Sequence, residues 1–275
     1  MHRRNCLLTL GALLAARTAS AQDATASTFA PAQQLLRGRT VQAAGLELDV
    51  PALSENGGAV PLGVAFRGVL PAGETLVAIH LLATRNPNPG LLSFDLPGDR
   101  VLPDFATRVR LAESQTVIAV ALGSKNSAWV AQRKVQVTVS GCLGGGEAAQ
   151  SEGMRSPRIA LARPTKAGGP IEVKALVQHP METGLRPGTD GKLLAQNLVR
   201  DFTLRLGERP VLTARFQTGY RPENPYLRFL LQPAPATGAC RLHLDRTRLD
   251  AHCAKSGPCR FKSQIALRCF YRKHL

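Results

Sequence analysis

Val135-Gln136-Val137-Thr138-Val139 runs directly into Ser140-Gly141-Cys142-Leu143-Gly144-Gly145-Gly146. The first five residues alternate apolar and polar with the period of two that a half-buried strand requires, because successive side chains of a strand point to opposite faces. The next seven break that pattern. Glycine has no Cβ and enters φ > 0 freely, so the lead on which Cys142 sits is thin and conformationally loose. A thiol held in this way suits delivery into another protein's narrow cavity better than burial in a core. The other reading of the stretch is a glycine-rich interdomain linker that happens to contain a cysteine.

Upstream of this stretch the chain reads as short strands punctuated by turns. After a short helix near 33–36, Leu46-Glu47-Leu48-Asp49-Val50 alternates, Glu55-Asn56-Gly57-Gly58 is a turn, and 60–69 resumes the strand pattern with Pro61 at an edge. Residues 75–82 form an apolar strand carrying His80, and an imidazole with no Asp, Glu or Cys at ligand spacing reads as a half-buried strand residue. Asn86-Pro87-Asn88-Pro89-Gly90 is a turn. Further strands are expected at 92–96 and 108–111. Thr116-Val117-Ile118-Ala119-Val120-Ala121-Leu122 is almost wholly apolar, the mark of a central strand buried on both faces. About seven strands at short intervals with no long helix predict an antiparallel β-sandwich.

Downstream, Glu147-Ala148-Ala149-Gln150-Ser151-Glu152-Gly153 is small and polar, which reads as a linker over 147–156, and a second domain begins near Pro157. Segments at 159–162, 171–177, 202–206, 211–216, 226–232 and 241–244 repeat the strand-and-turn rhythm and predict a second small sandwich. A linker of this size spans about 16–22 Å on average, so the two halves are expected to pack face to face.

The N-terminus carries its own signal. His2-Arg3-Arg4 is a short positive segment, 6–16 is mostly apolar, and Ala19-Ser20-Ala21 is a small-residue cleavage site, so residues 1–21 read as an export signal. The apolar run is about half the roughly twenty residues a bilayer span needs, and no later segment could serve as an anchor. Arg3-Arg4 followed by Leu7-Leu8 also fits a twin-arginine signal; the other reading is an ordinary signal with two positive residues. The mature protein is expected in the periplasm.

The net charge of +16 raises nucleic acid as a partner, but its distribution argues against it. Residues 241–275 hold nine Lys or Arg against two Asp or Glu, and the remaining excess is scattered over strands with no basic helix or aromatic–basic interleaving. Anionic substrates or acidic partners fit better. Beyond Cys6 in the signal there are five cysteines: Cys142, Cys240, Cys253, Cys259 and Cys269. An odd count in an oxidising compartment leaves at least one thiol for chemistry or intermolecular pairing, and Cys142 is the candidate. The other four lie close together in sequence and can pair in three ways. A metal site formed by them with His243 and His252 is the alternative, although their spacing matches no common zinc pattern.

Several motifs carry a resemblance. Asn56-Gly57-Gly58-Ala59-Val60-Pro61, Ile79-His80-Leu81, Asn86-Pro87-Asn88-Pro89, Thr107-Arg108-Val109-Arg110-Leu111-Ala112 and Val137-Thr138-Val139-Ser140-Gly141-Cys142 resemble SoxY, the sulfur-carrying subunit of the periplasmic thiosulfate-oxidising system, over 45–146. The resemblance implies an immunoglobulin-like sandwich whose glycine-flanked cysteine bears substrate covalently. Two departures stand out: Ser140 and Leu143 replace glycines of the family's arm, and the chain continues past it. His179-Pro180-Met181-Glu182-Thr183-Gly184, with Gly191-Lys192, Asn197 and Asn224-Pro225-Tyr226-Leu227, resembles SoxZ, the heterodimer partner of SoxY, over 157–248. Read on their own, His179 and Met181 are either soft metal ligands, for copper for instance, or parts of a Pro- and Gly-rich turn packed on the first domain, and the turn is the preferred reading. Residues 249–275 form a basic, cysteine-rich tail outside the resemblance.

The expected protein is therefore all-β, with two immunoglobulin-like antiparallel β-sandwich domains over 22–146 and 157–248. No catalytic constellation, phosphate loop, metal site or cofactor site is expected. The resemblance implies that Cys142 is the covalent sulfur attachment point on an arm formed by Ser140, Gly141, Leu143, Gly144, Gly145 and Gly146. It also implies three partners: a haem-containing enzyme that loads sulfur, a hydrolase that releases sulfate, and in some systems a sulfur dehydrogenase. The alternative function is that of a fused SoxYZ-like protein associated with a periplasmic quinoprotein dehydrogenase.

Overall fold

The computed structural model describes residues 25–42, 44–139 and, apart from brief breaks of which 182–186 and 233–238 are the longest, 158–254. One short helix, α1 (Ala30–Leu36), precedes nine strands of the first half: β1 (Thr40–Gln42), β2 (Leu46–Asp49), β3 (Leu53–Asn56), β4 (Val60–Phe66), β5 (Leu76–Ala83), β6 (Gly90–Asp95), β7 (Val101–Val109), β8 (Gln115–Gly123) and β9 (Ser127–Val139). The second half contributes β10 (Arg158–Leu161), β11 (Ile171–Leu176), β12 (Asp201–Leu206), β13 (Arg209–Phe216), β14 (Tyr226–Leu231), β15 (Ala239–Asp245) and β16 (Arg248–Ala254). Alternation in sequence becomes alternation in burial: Leu46 and Leu48 of β2 point inward while Glu47 and Asp49 stay exposed, and β4 and β14 follow the same rule.

Strand β8 is buried along its whole length. Val117, Ala119 and Ala121 face the core between the two sheets, whereas Ile118, Val120 and Leu122 face outward and are covered by Ala26, Phe29, Ala32, Leu35 and Leu36 from α1 and its approach. A strand flanked by β5 and β9 and covered on both faces has no polar side to present. This explains the unbroken apolar run.

The two sheets run through both halves of the chain. One has the order β1-β9-β8-β5-β6-β13-β12, with β3 also on β9, and the other has the order β10-β11-β14-β7-β4-β2. First-half strand β6 pairs with second-half β13, Phe94 opposite Ala214, and β7 pairs with β14, Phe105 opposite Phe229. The halves are thus joined edge to edge and not face to face. The physical reason is that β6 and β7 would otherwise end the two sheets of the first half with rows of unpaired N–H and C=O groups, which β13 and β14 satisfy. A second departure is that β1 and β3 both pair with β9 in parallel, so the larger sheet is mixed.

A single apolar core fills the space between the sheets and includes residues of both halves. At its centre Phe94 and Phe105 stack with centroids 4.0 Å apart, and beyond them Phe202 and Phe229 meet edge to face. Tyr220, 1% exposed, reaches back so that its hydroxyl lies 3.2 Å from Thr107 Oγ1 of β7. Burial pushes its phenol up to about 12, against the opposing effect of the Thr107 hydrogen bond. Beside it, Gly219 N–H donates to Gly90 O at 2.9 Å, and a Cβ on Gly219 would lie 2.1 Å from Asn88 O. The Asn86-Pro87-Asn88-Pro89-Gly90 turn is therefore part of the seam between the halves.

On the outer face of the smaller sheet the seam is crossed by charges. Asp104 of β7 accepts from Arg67 and from Arg228 of β14, and Arg228 also donates to Glu172, which pairs with Lys174 at 2.9 Å. Burial raises the Asp104 carboxyl, but the Arg67 and Arg228 hydrogen bonds outweigh it and hold the group below its usual value of 3.8. A carboxylate with a lowered native pKa contributes stability that is complete above its unfolded value and is lost as pH falls through the native one. Asp104→Asn is accordingly expected to cost about 1–2 kcal/mol at neutral pH, allowing for solvent around Arg67, and to flatten the decline of stability below pH of about 4. Thermal unfolding of both proteins across that range checks the sign and the size. A variant as stable as the parent at neutral pH would refute it.

Candidate functional site

Strand β9 carries the cysteine arm, and the chain fixes both of its ends. At its start, the buried Glu74 accepts hydrogen bonds from Lys125 N at 2.9 Å, Ser127 N at 3.1 Å and Ser127 Oγ at 2.7 Å. The Ser127 hydroxyl is the main cause that holds the Glu74 carboxyl below the usual carboxylate range. Gly123 has to be glycine here, since a Cβ would meet Glu74 Oε1 at 2.2 Å.

The far end is the root of the arm. Strand β3 runs alongside it with Asn56 opposite Val139. Gly57 N–H donates to Val139 O at 3.0 Å, the Gly57 carbonyl accepts from Leu111 N at 2.8 Å, and Gln136 N–H donates to Ala52 O at 2.8 Å. From the side of β8, Ser114 Oγ accepts from Val137 N at 2.9 Å. Main-chain groups of the 52–57 segment therefore tie the last four residues of β9 along one edge, and the Ser114 hydroxyl holds Val137 on the other. Val135 is fully buried and Val139 is 51% exposed, so the strand leaves the core over this short distance.

Behind the root lies a pair of amides that the sequence reading did not connect. Asn86 Oδ1 accepts from Ala112 N and Gln115 Nε2, each at 2.9 Å, and Asn86 Nδ2 donates to Arg110 O at 2.8 Å. Gln115, which has no exposure, accepts from Arg85 N at 2.8 Å and donates to Glu113 O at 3.1 Å. Together they pin the 110–115 turn, which presents Ser114 to β9. The signal available in the sequence was a Gln at the mouth of an otherwise apolar strand. Asn86→Ala removes the acceptor of two part-buried donors and the donor to Arg110 O, and is expected to cost about 1–3 kcal/mol. It should also speed hydrogen exchange at the Val137 amide, which native-state exchange read residue by residue would detect. Unchanged protection there would show that the amide pair does not support the root.

The predicted site residues Ser140, Gly141, Cys142, Leu143, Gly144, Gly145 and Gly146, with the linker at 147–156, lie outside the described residues. Strand β9 ends at Val139, three residues before the thiol.

The turn at His179 proves to be a packed element. His179 is buried, its Nδ1 accepts from Met181 N at 3.0 Å, and Met181 Sδ accepts from Val199 N at 3.4 Å. Asn224 closes the turn, accepting from His179 N at 3.1 Å and donating its own N–H to His179 O at 3.0 Å. Met181 and Asn224 both take φ of 52°, a left-handed backbone that this network holds in place. The two soft donors are thus engaged by backbone N–H groups. No cluster of three or more His, Cys, Asp or Glu able to hold a metal occurs among the described residues. His80 is half-buried on β5, and burial holds its imidazole below the usual value. No helix among the described residues is long and apolar enough to cross a membrane.

Two family models match the chain: sulfur oxidation protein SoxY over residues 32–142 and sulphur oxidation protein SoxZ over residues 159–251. No curated protein matches it. Among solved structures, it is similar to the superoxide reductase (neelaredoxin) from Ignicoccus hospitalis, 19% identical, covering 34% of this chain and 80% of that one with a TM-score of 0.30. A point variant of the same enzyme matches at 18% identity, covering 39% of this chain and 86% of that one, again with a TM-score of 0.30.

Proposed function

Because the chain belongs to the SoxY and SoxZ families, with one domain of each in a single polypeptide, and so takes part in sulfur oxidation, we propose that it is a covalent sulfur carrier whose attachment point is Cys142. The observation that carries this reading is the coincidence of the match with the arm: the SoxY match ends at residue 142, the thiol itself. A rigid root immediately before a glycine-rich segment supports it further, since a carrier needs a fixed body and a thin, movable handle.

In the proposed cycle the Cys142 thiolate and the sulfane sulfur of thiosulfate form an S–S bond, and the two electrons released pass to a haem-containing partner. A hydrolase partner then adds water to the terminal sulfone group and releases sulfate, leaving a persulfide on Cys142. A sulfur dehydrogenase is the further partner for that persulfide. The carrier's own residues hold and present the cargo, and the chemistry belongs to the partners. From Val139 to Cys142 the chain extends at most about 10 Å, so a partner's entrance has to come that close to the root. Leu143, in place of the family's glycine, adds bulk beside the thiol that such an entrance has to admit. The compartment is extracytoplasmic, the periplasm in this reading.

The test is intact mass after incubation with thiosulfate and the haem-containing loading enzyme. A mass gain equal to one thiosulfate-derived adduct supports carriage. No gain, while a separate carrier loads in the same mixture, rejects it.

A further inference from the structure

Asparagine followed by glycine is the pair in which a side-chain amide is most readily attacked by the next main-chain nitrogen, because glycine has no Cβ to hinder the five-membered ring that forms. The chain holds seven asparagines. Asn86, Asn88 and Asn224 precede proline, whose nitrogen carries no hydrogen to lose, and Asn5, Asn126 and Asn197 precede residues that bear a side chain. Only Asn56 precedes glycine, and it lies at the end of β3, opposite Val139 at the root of the arm.

The turn that follows β3 presents the amide and restrains the nitrogen. Asn56 is exposed, whereas Gly57 is buried. Asn56 Oδ1 accepts from Gly58 N at 2.7 Å, which closes an Asx turn, and a Cβ on Gly58 would meet that oxygen at 3.0 Å. The bond draws electron density from the side-chain carbonyl and makes its carbon more electrophilic. The attacking atom is held in the opposite sense. Gly57 N–H donates to Val139 O at 3.0 Å, and the Gly57 carbonyl accepts from Leu111 N at 2.8 Å. The hydrogen on the nitrogen is thus kept in a buried bond, and the residue is fixed between β9 and the 110–115 turn.

We propose that Asn56 is a deamidation site, protected while the root is closed and reactive when it opens. Once the bond to Val139 breaks, a solvent base removes the Gly57 proton and the nitrogen bonds to Asn56 Cγ. The Cγ–Nδ2 bond breaks, ammonia departs with one added proton, and a succinimide remains. Water then opens the ring at either carbonyl and leaves aspartate or isoaspartate. No oxidant or reductant takes part. Isoaspartate routes the main chain through Cβ and lengthens it by one atom opposite Val139. The pairing of Leu53 with Gln136 and the bond from Gly57 to Val139 then cannot both be kept, and a carboxylate replaces a neutral amide beside the root.

The full chain is incubated at mildly alkaline pH, folded or unfolded in urea, and digested with trypsin. Cleavage after Arg39 and Arg67 gives one peptide in which Asn56 is the sole asparagine. Conversion makes it heavier by the difference between a hydroxyl and an amino group, and fragmentation places the change. In urea, Asn56 is expected to convert faster than Asn126. In the folded protein it is expected to convert roughly tenfold more slowly than in urea or slower still, since opening one such hydrogen bond costs about that factor in population. Ser114→Ala removes the hydroxyl that holds Val137 and is expected to speed the folded rate roughly two- to tenfold while leaving the rate in urea unchanged. Equal rates in the folded and unfolded chain, a folded rate indifferent to Ser114→Ala, or no preference for Asn56 over Asn126 in urea overturns the proposal. Independently, the isoaspartate form, separated chromatographically, is expected to lose slow hydrogen exchange at the Gly57 and Leu111 amides, and retention at both overturns it. None of these readouts depends on sulfur loading.

Discussion

Cys142→Ser is expected to abolish sulfur loading completely while leaving the melting temperature of the protein unchanged. The hydroxyl keeps the size of the side chain but is not ionised near neutral pH, and the thiolate is the species that forms the S–S bond. Strand β9 ends at Val139, before the substituted position. If Cys142 sits on a presented arm, as proposed, the exchange is expected to change stability by no more than about 0.5 kcal/mol. Intact mass after incubation with thiosulfate and the loading enzyme gives the first readout and thermal unfolding the second. Wild type, stored in air, should in addition accumulate disulfide-linked dimers that the variant lacks. A variant that still acquires the adduct would move the attachment point elsewhere and end the carrier reading of Cys142. If wild type acquires none, the association with a quinoprotein dehydrogenase becomes the reading to pursue.

Phe105→Ala should produce the largest loss of stability, about 3–5 kcal/mol, and should unfold both halves together. Phe105 is buried on β7, stacks on Phe94 and pairs across the seam with Phe229, so its removal leaves a void in a core that both halves share. The chain supplies its own probes. Its only tryptophan, Trp129, is buried in the first half against Phe66 at 4.8 Å, and Tyr220 and Tyr226 lie in the second half. Tryptophan fluorescence and tyrosine absorbance should therefore report one coincident denaturant transition in the parent, shifted together in the variant. Two separate transitions would show that the halves fold independently and that the shared sheets add little.

The sequence alone determined the class of fold and most of its strands, because two-residue alternation survives into burial wherever one face of a strand meets the core. Residues 46–49, 171–176 and 226–231 are clear instances. It also singled out Cys142 by the glycines around it, since those glycines act through local backbone freedom and need no partner to be recognised. Tertiary structure decided what depends on residues far apart in the chain. That β6 and β7 continue into β13 and β14 is set by unpaired backbone groups and by a shared aromatic core, and backbone hydrogen-bonding demand looks the same in every strand of a sequence. The parallel strands β1 and β3 on β9 were unreadable for the same reason: three or four residues carry too little pattern to name their neighbour. Asn86 and Gln115 are 29 positions apart, so neither could be read as the amide pair that holds the root of the arm until the fold set them 2.9 Å from each other.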